Sequence, residues 1–503
     1  MKLKKPIDTQ DHGADDLTHY EVMRSTFLMG SSSLVNIILG IVRNKVIAVL
    51  LNPSGIGLLG IYQSILNLVT TVSGMGINES GARQTALAFH TGDKVSVSRT
   101  YLALMRIALI TGLGGMALLI FLGKWISLFA FGDPGHTLAL TFLSVAVLLG
   151  AISQGQQAII QGARKIKSLA KINIFGALWG TLLGLPVIYF WGMRGVVAYL
   201  VILSAATLIF SWRYSAKLGI PRFPSNFRDS LLDGRPLLTL GAAFMVGNMA
   251  AVAVQFLLRV IILRFLDLNA AGEYQASAIL SSVYVGILFK AMATDFYPRL
   301  SAASGSDEAC VTLVNKQVHT GLLIATPGVL ITLAFAPLVM VQFYSKDFLL
   351  AADLLRWQIA GVFLMVVTWP MGYVLRAKAD GRLFVATELF SGCLQLALAW
   401  VGIKAFGLTG IGVAFFVTNA VYAVVIFRII HKKYRFSLSR QIIRTFILFA
   451  LAIGSIFASA YVIPGYKSLF SLAVILVVSA FSVKTLDLRS VLAQFIARVR
   501  KTT

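Results

Sequence analysis

Polar and ionisable side chains recur at helical spacing inside two long apolar stretches of this sequence. Asn36 and Arg43 lie on the first stretch, and Asn248, Gln255 and Arg259 lie on a second stretch about 215 residues later. Because an α-helix has 3.6 residues per turn, each set falls on one helix face. A polar stripe that ends in an arginine predicts one wall of a water-filled cleft. A guanidinium group in that cleft favours an anion, and its fork suits a diphosphate.

Other ionisable residues inside the apolar stretches extend this candidate binding site. The further cations are Lys45, Arg106, Lys290 and Arg356, and the acids, which are candidates for ion coupling, are Asp295, Glu388 and Glu79. Structural alternatives stand beside these roles. The two lysines and Arg356 are near enough to a helix end to snorkel to the membrane surface, and Arg106 could pair with an acid. Asp295 and Glu388 could neutralise neighbouring arginines instead of carrying protons.

Several kinds of chemistry are excluded by the residue pattern. The two cysteines, Cys310 and Cys393, lie far apart, and the six histidines form no HxxxH or HxH pair, so we expect neither a disulfide framework nor a metal site. No GxxxxGK[ST] motif is present, and the cations form no continuous stripe with aromatic residues, which argues against ATP hydrolysis and nucleic-acid binding. We therefore expect no cofactor, and an ion gradient or the membrane potential would drive any transport.

Membrane-spanning helices must position these side chains. Of the 503 residues, 57% are hydrophobic and only 13% are charged, which is too little polar surface for a soluble protein. Since one span needs about 20 mostly apolar residues, the sequence predicts an all-α polytopic membrane protein with about fourteen transmembrane helices. The predicted spans lie near residues 25–51, 57–78, 100–122, 138–161, 172–190, 195–212, 238–263, 274–295, 319–343, 351–375, 383–403, 410–430, 441–462 and 466–485.

The distribution of loop cations predicts the orientation of these spans. The formal net charge is +24. If the N-terminus lies inside, the inner connections carry 22 Lys and Arg residues, whereas the outer connections carry 6. By the positive-inside rule, this bias places both termini in the cytoplasm. Most of the net charge therefore sets the topology and gives no information about a ligand.

Two halves of the sequence can be aligned at a displacement of about 215 residues. Residues 192–198 correspond to residues 407–414, residues 60–64 correspond to 272–276, and Arg83 corresponds to Arg299. Because each half has six spans, the two lobes would be related by a pseudo-two-fold axis along the membrane normal, as is typical of alternating access. We predict a cytoplasmic tail at 1–22, an N-lobe at 23–215, a cytoplasmic linker at 216–236, a C-lobe at 237–432, and a final helix pair with a tail at 433–503.

Three segments carry a resemblance to a known family. These are residues 353–361, continuing through Gly372-Tyr373 and Ala377-Lys378-Ala379 to Glu388; residues 43–62; and residues 76–83. They resemble the corresponding spans of bacterial lipid-linked oligosaccharide flippases of the O-antigen and enterobacterial common antigen type. The resemblance extends over residues 23–432. It places the chain among the multidrug, oligosaccharidyl-lipid and polysaccharide exporters, although fourteen spans differ from the twelve that are commoner in that family.

The resemblance implies a function in polysaccharide biosynthesis. The cargo would be an undecaprenyl-diphosphate-linked oligosaccharide, such as an O-antigen or exopolysaccharide repeat unit. The protein would move it from the cytoplasmic to the periplasmic leaflet of the bacterial inner membrane, with membrane lipids and the polysaccharide polymerase or export machinery as partners. A lipid II flippase, which also has fourteen spans, is the nearest alternative. A cation-coupled multidrug exporter and a membrane enzyme such as a polysaccharide polymerase are further alternatives.

Overall fold

The fold is built from helices, as a computed structural model of the chain shows. The structure describes residues 12–221, 223, 227–462 and 467–486, without the side chains of residues 12–34, 227–236, 243, 284–285, 287–288, 290–295, 460–462 and 467–468. No β-strand occurs in these ranges. The helices are α1 (His12–Gly74), α2 (Ile77–Thr91), α3 (Lys94–Ala130), α4 (Thr137–Gly162), α5 (Ile166–Trp191), α6 (Gly195–Ala216), α7 (Phe227–Phe265), α8 (Leu268–Ala302), α9 (Asp307–Ala334), α10 (Ala336–Phe343), α11 (Ala351–Ala377), α12 (Gly381–Phe406), α13 (Thr409–Tyr434), α14 (Arg440–Val462) and α15 (Lys467–Thr485).

The helices confirm a multi-pass membrane protein with about fourteen spans. Ten described segments are long and apolar enough to cross a membrane. Two of these segments hold two helices each, because α1 is broken at Asn52 and because α5 and α6 are joined only by a short 3₁₀ turn, Gly192–Arg194. Helices α8 and α15 cover the remaining two predicted spans. The ninth predicted span consists of α9 together with the short helix α10.

The break in α1 has a clear local cause. Asn52 has a φ of 57° and a ψ of −171°, and the next residue is Pro53. Proline has no backbone N–H to donate and restricts the residue before it to non-helical conformations. Asn tolerates a positive φ better than most residues do. The dipeptide therefore ends one helix and begins another, which separates the first two predicted spans.

The chain divides into two compact units. Unit 1 comprises Met1–Arg43, Ile65–Leu128 and Asp133–Met249, and unit 2 comprises Asn44–Ser64, Phe129–Gly132 and Ala250–Thr503. In unit 1, α4 packs against α2 and α6, and α5 packs along α6. In unit 2, α11 is the central helix, because it packs against α8, α9 and α13. Consistent with this central position, 78% of the residues in the most hydrophobic 18-residue stretch of α11 are buried.

The predicted internal repeat is confirmed in local geometry. Arg164 and Ala379, which are 215 residues apart, both have a left-handed backbone, with φ of 55° and 57°. Farther along, Gly192 ends α5 with φ 57° and ψ −133°, and Gly407 ends α12 with φ 57° and ψ −136°. The turns that flank α5 therefore recur around α12. This agreement allows residues of α4 to α6 to be compared position by position with those of α11 to α13.

The repeated turn before α12 carries an ion pair that is expected to make stability depend on pH. Asp380 accepts hydrogen bonds from the Lys433 ammonium group and, at 3.0 Å, from the Tyr434 hydroxyl. The hydrogen bond from Lys433 holds the pKa of this carboxyl below its ordinary value of 3.8. A lowered pKa stabilises the fold at pH values above the ordinary value, and the contribution is lost as the pH falls through the folded-state pKa.

We therefore expect Asp380→Asn to lower the thermal unfolding midpoint of the purified protein at pH 7. The difference from the unsubstituted protein should shrink as the pH is taken below 3.8, because protonation then removes the same charge. Lys433→Met should have a similar effect, and the double variant should be no less stable than the worse single variant. Additive losses from the two substitutions would show that the pair does not stabilise the fold.

Candidate functional site

Arg259 on α7 is held by neutral partners in unit 2. Its Nε donates to Gln275 Oε1 at 2.9 Å, and its Nη1 donates to the backbone oxygen of Gln255 at 2.7 Å and to Gln255 Oε1 at 3.1 Å. The guanidinium also lies 5.8 Å from the centre of the Tyr274 ring. Within the described part of the chain, no carboxylate pairs with Arg259 and nothing accepts from its Nη2. The charge is thus positioned but not neutralised, as an anion site requires.

Sequence reasoning identified Gln255 and Arg259 but gave no role to Gln275. Gln275 can reach Arg259 because Gly60 leaves space for it: a Cβ atom on Gly60 would lie 2.9 Å from Gln275 Oε1. Gly60 and Gln275 both belong to the repeated segments at 60–64 and 272–276. That repeat is the signal in the sequence that could have identified Gln275.

Arg43, the predicted counterpart of Arg259, belongs to unit 1. It is half-buried on α1 and lies beside the hydroxyl group of Tyr199, a buried residue of α6 in unit 1. Asn36, about two helical turns earlier on α1, is also half-buried. Arg43 therefore lies beside a tyrosine of unit 1, and Arg259 lies against two glutamines and the Tyr274 ring in unit 2.

Polar residues from separate spans converge on one cavity in unit 1. This cavity, called the unit 1 cavity below, has a volume of about 260 Å³. It is lined by Thr70, Thr71, Gly74, Gly76, Asn78, Glu79, Gln154, Met245 and Asn248. Two predicted site residues, Glu79 and Asn248, therefore lie together, although they are on α2 and α7. Hydroxyl, amide and carboxylate groups in one cavity can bind a proton, a cation or the hydroxyl groups of a sugar.

Two of the predicted cations, Lys45 and Arg356, have contacts typical of helix ends. Lys45 Nζ donates to the backbone oxygen of Val341 at 2.8 Å, near the end of α10. Arg356 Nη1 pairs with Asp353 at 2.6 Å on the first turns of α11. Arg106 is half-buried on α3. The side chains of Lys290 and Asp295 lie outside the described residues.

Glu388 lies at a cavity in unit 2, together with a cation and a phenol. This cavity, called the unit 2 cavity below, has a volume of about 290 Å³ and lies between α11, α12 and α13. Glu388 Oε1 accepts from the Tyr422 hydroxyl at 3.5 Å. Arg376 is in the same lining, where its guanidinium lies 4.1 Å from the centre of the Phe384 ring. Sequence reasoning predicted Glu388 but not the residues that surround it.

One further carboxylate was missed. Glu273, in the second turn of α8, is only 6% exposed and has no hydrogen bond or ion pair among the described residues. A buried carboxylate without a partner is costly and marks a candidate site for proton exchange. The sequence feature that could have identified Glu273 is its place in the repeated segment Gly272-Glu273-Tyr274-Gln275. The corresponding residue in the first half is the apolar Ile61.

Comparison with known proteins gives a family match and similar sequences. The profile of the family described as polysaccharide biosynthesis protein matches residues 46–353. The lipid III flippase of Escherichia coli (strain K12) is 23% identical over 411 residues, which cover 79% of this chain and 95% of that protein. The lipid III flippase of Shigella flexneri gives the same values.

Solved structures share the fold. The lipid II flippase MurJ, in an inward closed conformation, superposes with a TM-score of 0.71 at 14% identity, covering 92% of this chain and 99% of that one. An inward-facing multidrug resistance transporter of the MATE family, in the MOP superfamily, superposes with a TM-score of 0.68 at 15% identity, covering 80% of this chain and 94% of that one. At such low identity, these likenesses concern the fold alone.

Proposed function

Because this chain belongs to the polysaccharide biosynthesis protein family, we propose that it is a flippase for an undecaprenyl-diphosphate-linked oligosaccharide. It is a transporter and not an enzyme, and it moves the cargo from the cytoplasmic to the periplasmic leaflet by alternating access. The cargo class is supported by the lipid III flippases, which align with 79% of this chain. The repeat unit of an O-antigen or an exopolysaccharide belongs to this class.

The observation that carries the proposal is the arginine site around Arg259. A diphosphate presents several anionic oxygens, and a guanidinium nitrogen with available N–H groups donates charge-assisted hydrogen bonds to such oxygens. Gln255 and Gln275 fix the plane of this guanidinium and leave Nη2 available. Because no described carboxylate competes for Arg259, the incoming anion would supply the missing negative charge.

We propose that the membrane potential contributes to the driving force. An anion that leaves the negative cytoplasmic side moves with the potential, which is worth about 2.3 kcal/mol per charge per 100 mV. Glu79 in the unit 1 cavity and Glu388 in the unit 2 cavity remain candidates for coupling an ion to this movement. The same proposal places the protein in the bacterial inner membrane with both termini in the cytoplasm, where the polysaccharide polymerase or export machinery would be a partner.

Two related functions differ from this one in the cargo. A lipid II flippase would share the fold, the carrier lipid and the need for cations, and the similarity to MurJ favours it as the second candidate. A cation-coupled multidrug exporter would need acids in its drug site; Glu79 and Glu388 could supply them, whereas the charge of Arg259 would repel a cationic drug. Complementation of a strain depleted of its lipid II flippase separates the first two functions, and uptake of a cationic dye into vesicles tests the third.

Reconstitution tests the proposed function directly. We expect purified protein in liposomes to move the undecaprenyl-diphosphate-linked glycan extracted from the native cells across the bilayer, and we expect a potassium diffusion potential of the correct sign to speed this movement. Accessibility of the glycan to an added glycosidase measures its arrival in the second leaflet. Protein-free liposomes give the background. A rate equal to that background, from protein that is folded by thermal unfolding, would refute the proposal.

A further inference from the structure

The unit 2 cavity is lined by both aromatic and polar side chains. Trp369 and Tyr373 form an aromatic wall, in which their ring centres are 4.3 Å apart. The Trp369 ring is fixed from behind by Phe289, which stacks on it at 5.0 Å with an angle of 16° between the planes. The lining also includes the polar side chains of Thr368, Arg376, Glu388, Ser391, Asn419 and Tyr422. The cavity is therefore apolar on one side and able to form hydrogen bonds on the other.

The equivalent helices of unit 1, α5 and α6, pack closely where the unit 2 cavity lies between α12 and its neighbours, so the shared fold alone does not produce the cavity. In unit 1, Gly176, Gly180 and Gly184 bring α5 close to α6: Cβ atoms there would lie 3.1 Å from Thr207 Oγ1, 2.6 Å from Leu203 and 2.4 Å from Tyr199, respectively. Stripes of small residues allow such close packing of helices in membranes. The equivalent residues of α12, 215 positions later, are Ser391, Gln395 and Ala399. All three glycines are thus replaced by larger residues, and the first of these, Ser391, lines the unit 2 cavity.

Two buried polar atoms near the cavity have no partner in the described part of the protein. They are Gln395 Nε2 and Thr418 Oγ1, on residues that are 8% and 3% exposed. Their equivalents in unit 1, Gly180 and Leu203, are in contact. Gln395 lies one turn from Ser391 on α12, and Thr418 is next to Asn419 on α13. Since each unsatisfied buried polar group costs about 1–3 kcal/mol, Gln395 and Thr418 make the packing of α12 on α13 more polar and less favourable than that of α5 on α6.

The lining suits the chemistry of a sugar ring. A pyranose has a face of C–H groups, which packs against an aromatic ring, and a rim of hydroxyl groups, which donate and accept hydrogen bonds. Asn419 Nδ2 is already used by the backbone oxygen of Phe415 at 2.8 Å, so Asn419 Oδ1 is left to accept. Glu388 carries a carboxylate that can accept from a sugar hydroxyl, and Arg376 in the same lining carries N–H groups that can donate to one. At about 290 Å³, the cavity is at the lower end of the size range of ligand pockets, as a single ring requires.

We propose that the unit 2 cavity is a recognition site for one sugar ring of the translocated glycan. Trp369 stacks on the apolar face of that ring, and Asn419, Ser391 and Glu388 bind its hydroxyl groups. The site is distinct in chemistry from the arginine site, which binds the diphosphate. This inference rests on the proposed function, and it adds that the protein selects its cargo by the sugar as well as by the carrier.

Transport of two cargoes tests this inference. In proteoliposomes, we expect Asn419→Ala to raise the apparent KM for the glycan-bearing carrier about tenfold, as the loss of one good hydrogen bond does, with the maximal rate kept within about twofold. The KM for undecaprenyl diphosphate without sugar should not change. Ser204→Ala is the matched control, because Ser204 is the equivalent residue of α6 and likewise donates to the backbone four residues earlier. An equal change for both cargoes, or for neither, would overturn the inference.

A binding measurement keeps this test separate from the test of transport. The free glycan, released from its carrier by mild acid, should give saturation-transfer NMR signals with the purified protein. We expect Trp369→Leu to abolish these signals. Asn419→Ala is a milder change that should weaken them, and it provides the test if the leucine variant does not fold. Arg259→Ala and Ser204→Ala should keep them. No signal with the unsubstituted protein would refute the sugar site even if transport is observed, whereas signals without transport would refute only the proposed function.

Discussion

Replacement of Arg259 by alanine is expected to lower transport of the lipid-linked glycan by at least about thirtyfold. The substitution removes the guanidinium group that we assign to the diphosphate, and loss of one partner of a desolvated, hydrogen-bonded charge pair costs about 2–5 kcal/mol. Since every 1.4 kcal/mol is a factor of ten, the lower limit of that cost corresponds to roughly thirtyfold. The measurement is the initial rate of glycan arrival in the second leaflet of proteoliposomes.

Two further substitutions at this position separate charge from shape. Arg259→Lys keeps the charge but loses the planar fork that Gln255 and Gln275 orient, so transport should recover only in part. Arg259→Gln can still bond to these neighbours but has no charge, and it should transport as poorly as the alanine variant. Unchanged thermal unfolding of the glutamine variant would show that the loss of transport does not result from misfolding.

Arg264 provides the matched control on the same helix. It is an exposed arginine in the last turn of α7, and its guanidinium lies against Gly132 and not against a glutamine pair. Arg264→Ala should leave the transport rate within about twofold of the unsubstituted protein, because exposed cations near a helix end contribute little. If Arg259→Ala transports as well as Arg264→Ala does, the arginine site does not bind the cargo.

Replacement of Gly272 by alanine is expected to destabilise the protein strongly. Gly272, in the first turns of α8, lies directly against the break in α1 within unit 2. A Cβ atom on Gly272 would lie 1.8 Å from the backbone oxygen of Pro53 and 3.0 Å from the backbone nitrogen of Gly57. Both contacts involve backbone atoms, which cannot rotate away as a side chain can. Overpacking of this kind typically costs about 1–3 kcal/mol, and we expect a loss near the upper end.

Gly286 offers the matched control for this prediction. It lies on the same helix, and no described atom lies within 4 Å of the position of an added Cβ atom. Gly286→Ala should therefore be neutral or slightly stabilising, because alanine has a higher helix propensity than glycine. The thermal unfolding midpoint in detergent and the amount of protein in the membrane measure both variants. Equal values for the two would mean that the close approach of Pro53 and Gly272 does not stabilise unit 2.

The secondary structure of this protein could be predicted well from its sequence. Apolar runs longer than a membrane is thick must form helices, because no water is available there to satisfy the backbone. Asn52-Pro53 marks the break between the first two spans, and the glycines at 192 and 407 mark the repeated helix ends, because these local conformations depend on the residues themselves. The repeat was recognisable for the same reason.

The candidate site could be predicted only in part. Helical spacing correctly placed Gln255 beside Arg259, since residues four apart on a helix are neighbours. The same spacing could not identify Gln275, which reaches Arg259 from α8. Asn248 and Arg259 were predicted on one face of α7, yet Asn248 lines the unit 1 cavity and Arg259 bonds within unit 2. A helix of 39 residues changes its neighbours along its length, and periodicity within one helix does not specify them.

By itself, the sequence determined the membrane-spanning helices, their internal repeat and the residue types available for binding an anion, because hydrophobicity, proline and glycine act locally. Only the tertiary structure decided which polar groups meet. It placed Glu388 beside Tyr422 at the unit 2 cavity, and it closed the equivalent space in unit 1 with Gly176 and Thr207. The physical reason is that a cavity depends on the distance between two helices. That distance is set by pairs of residues far apart in the chain.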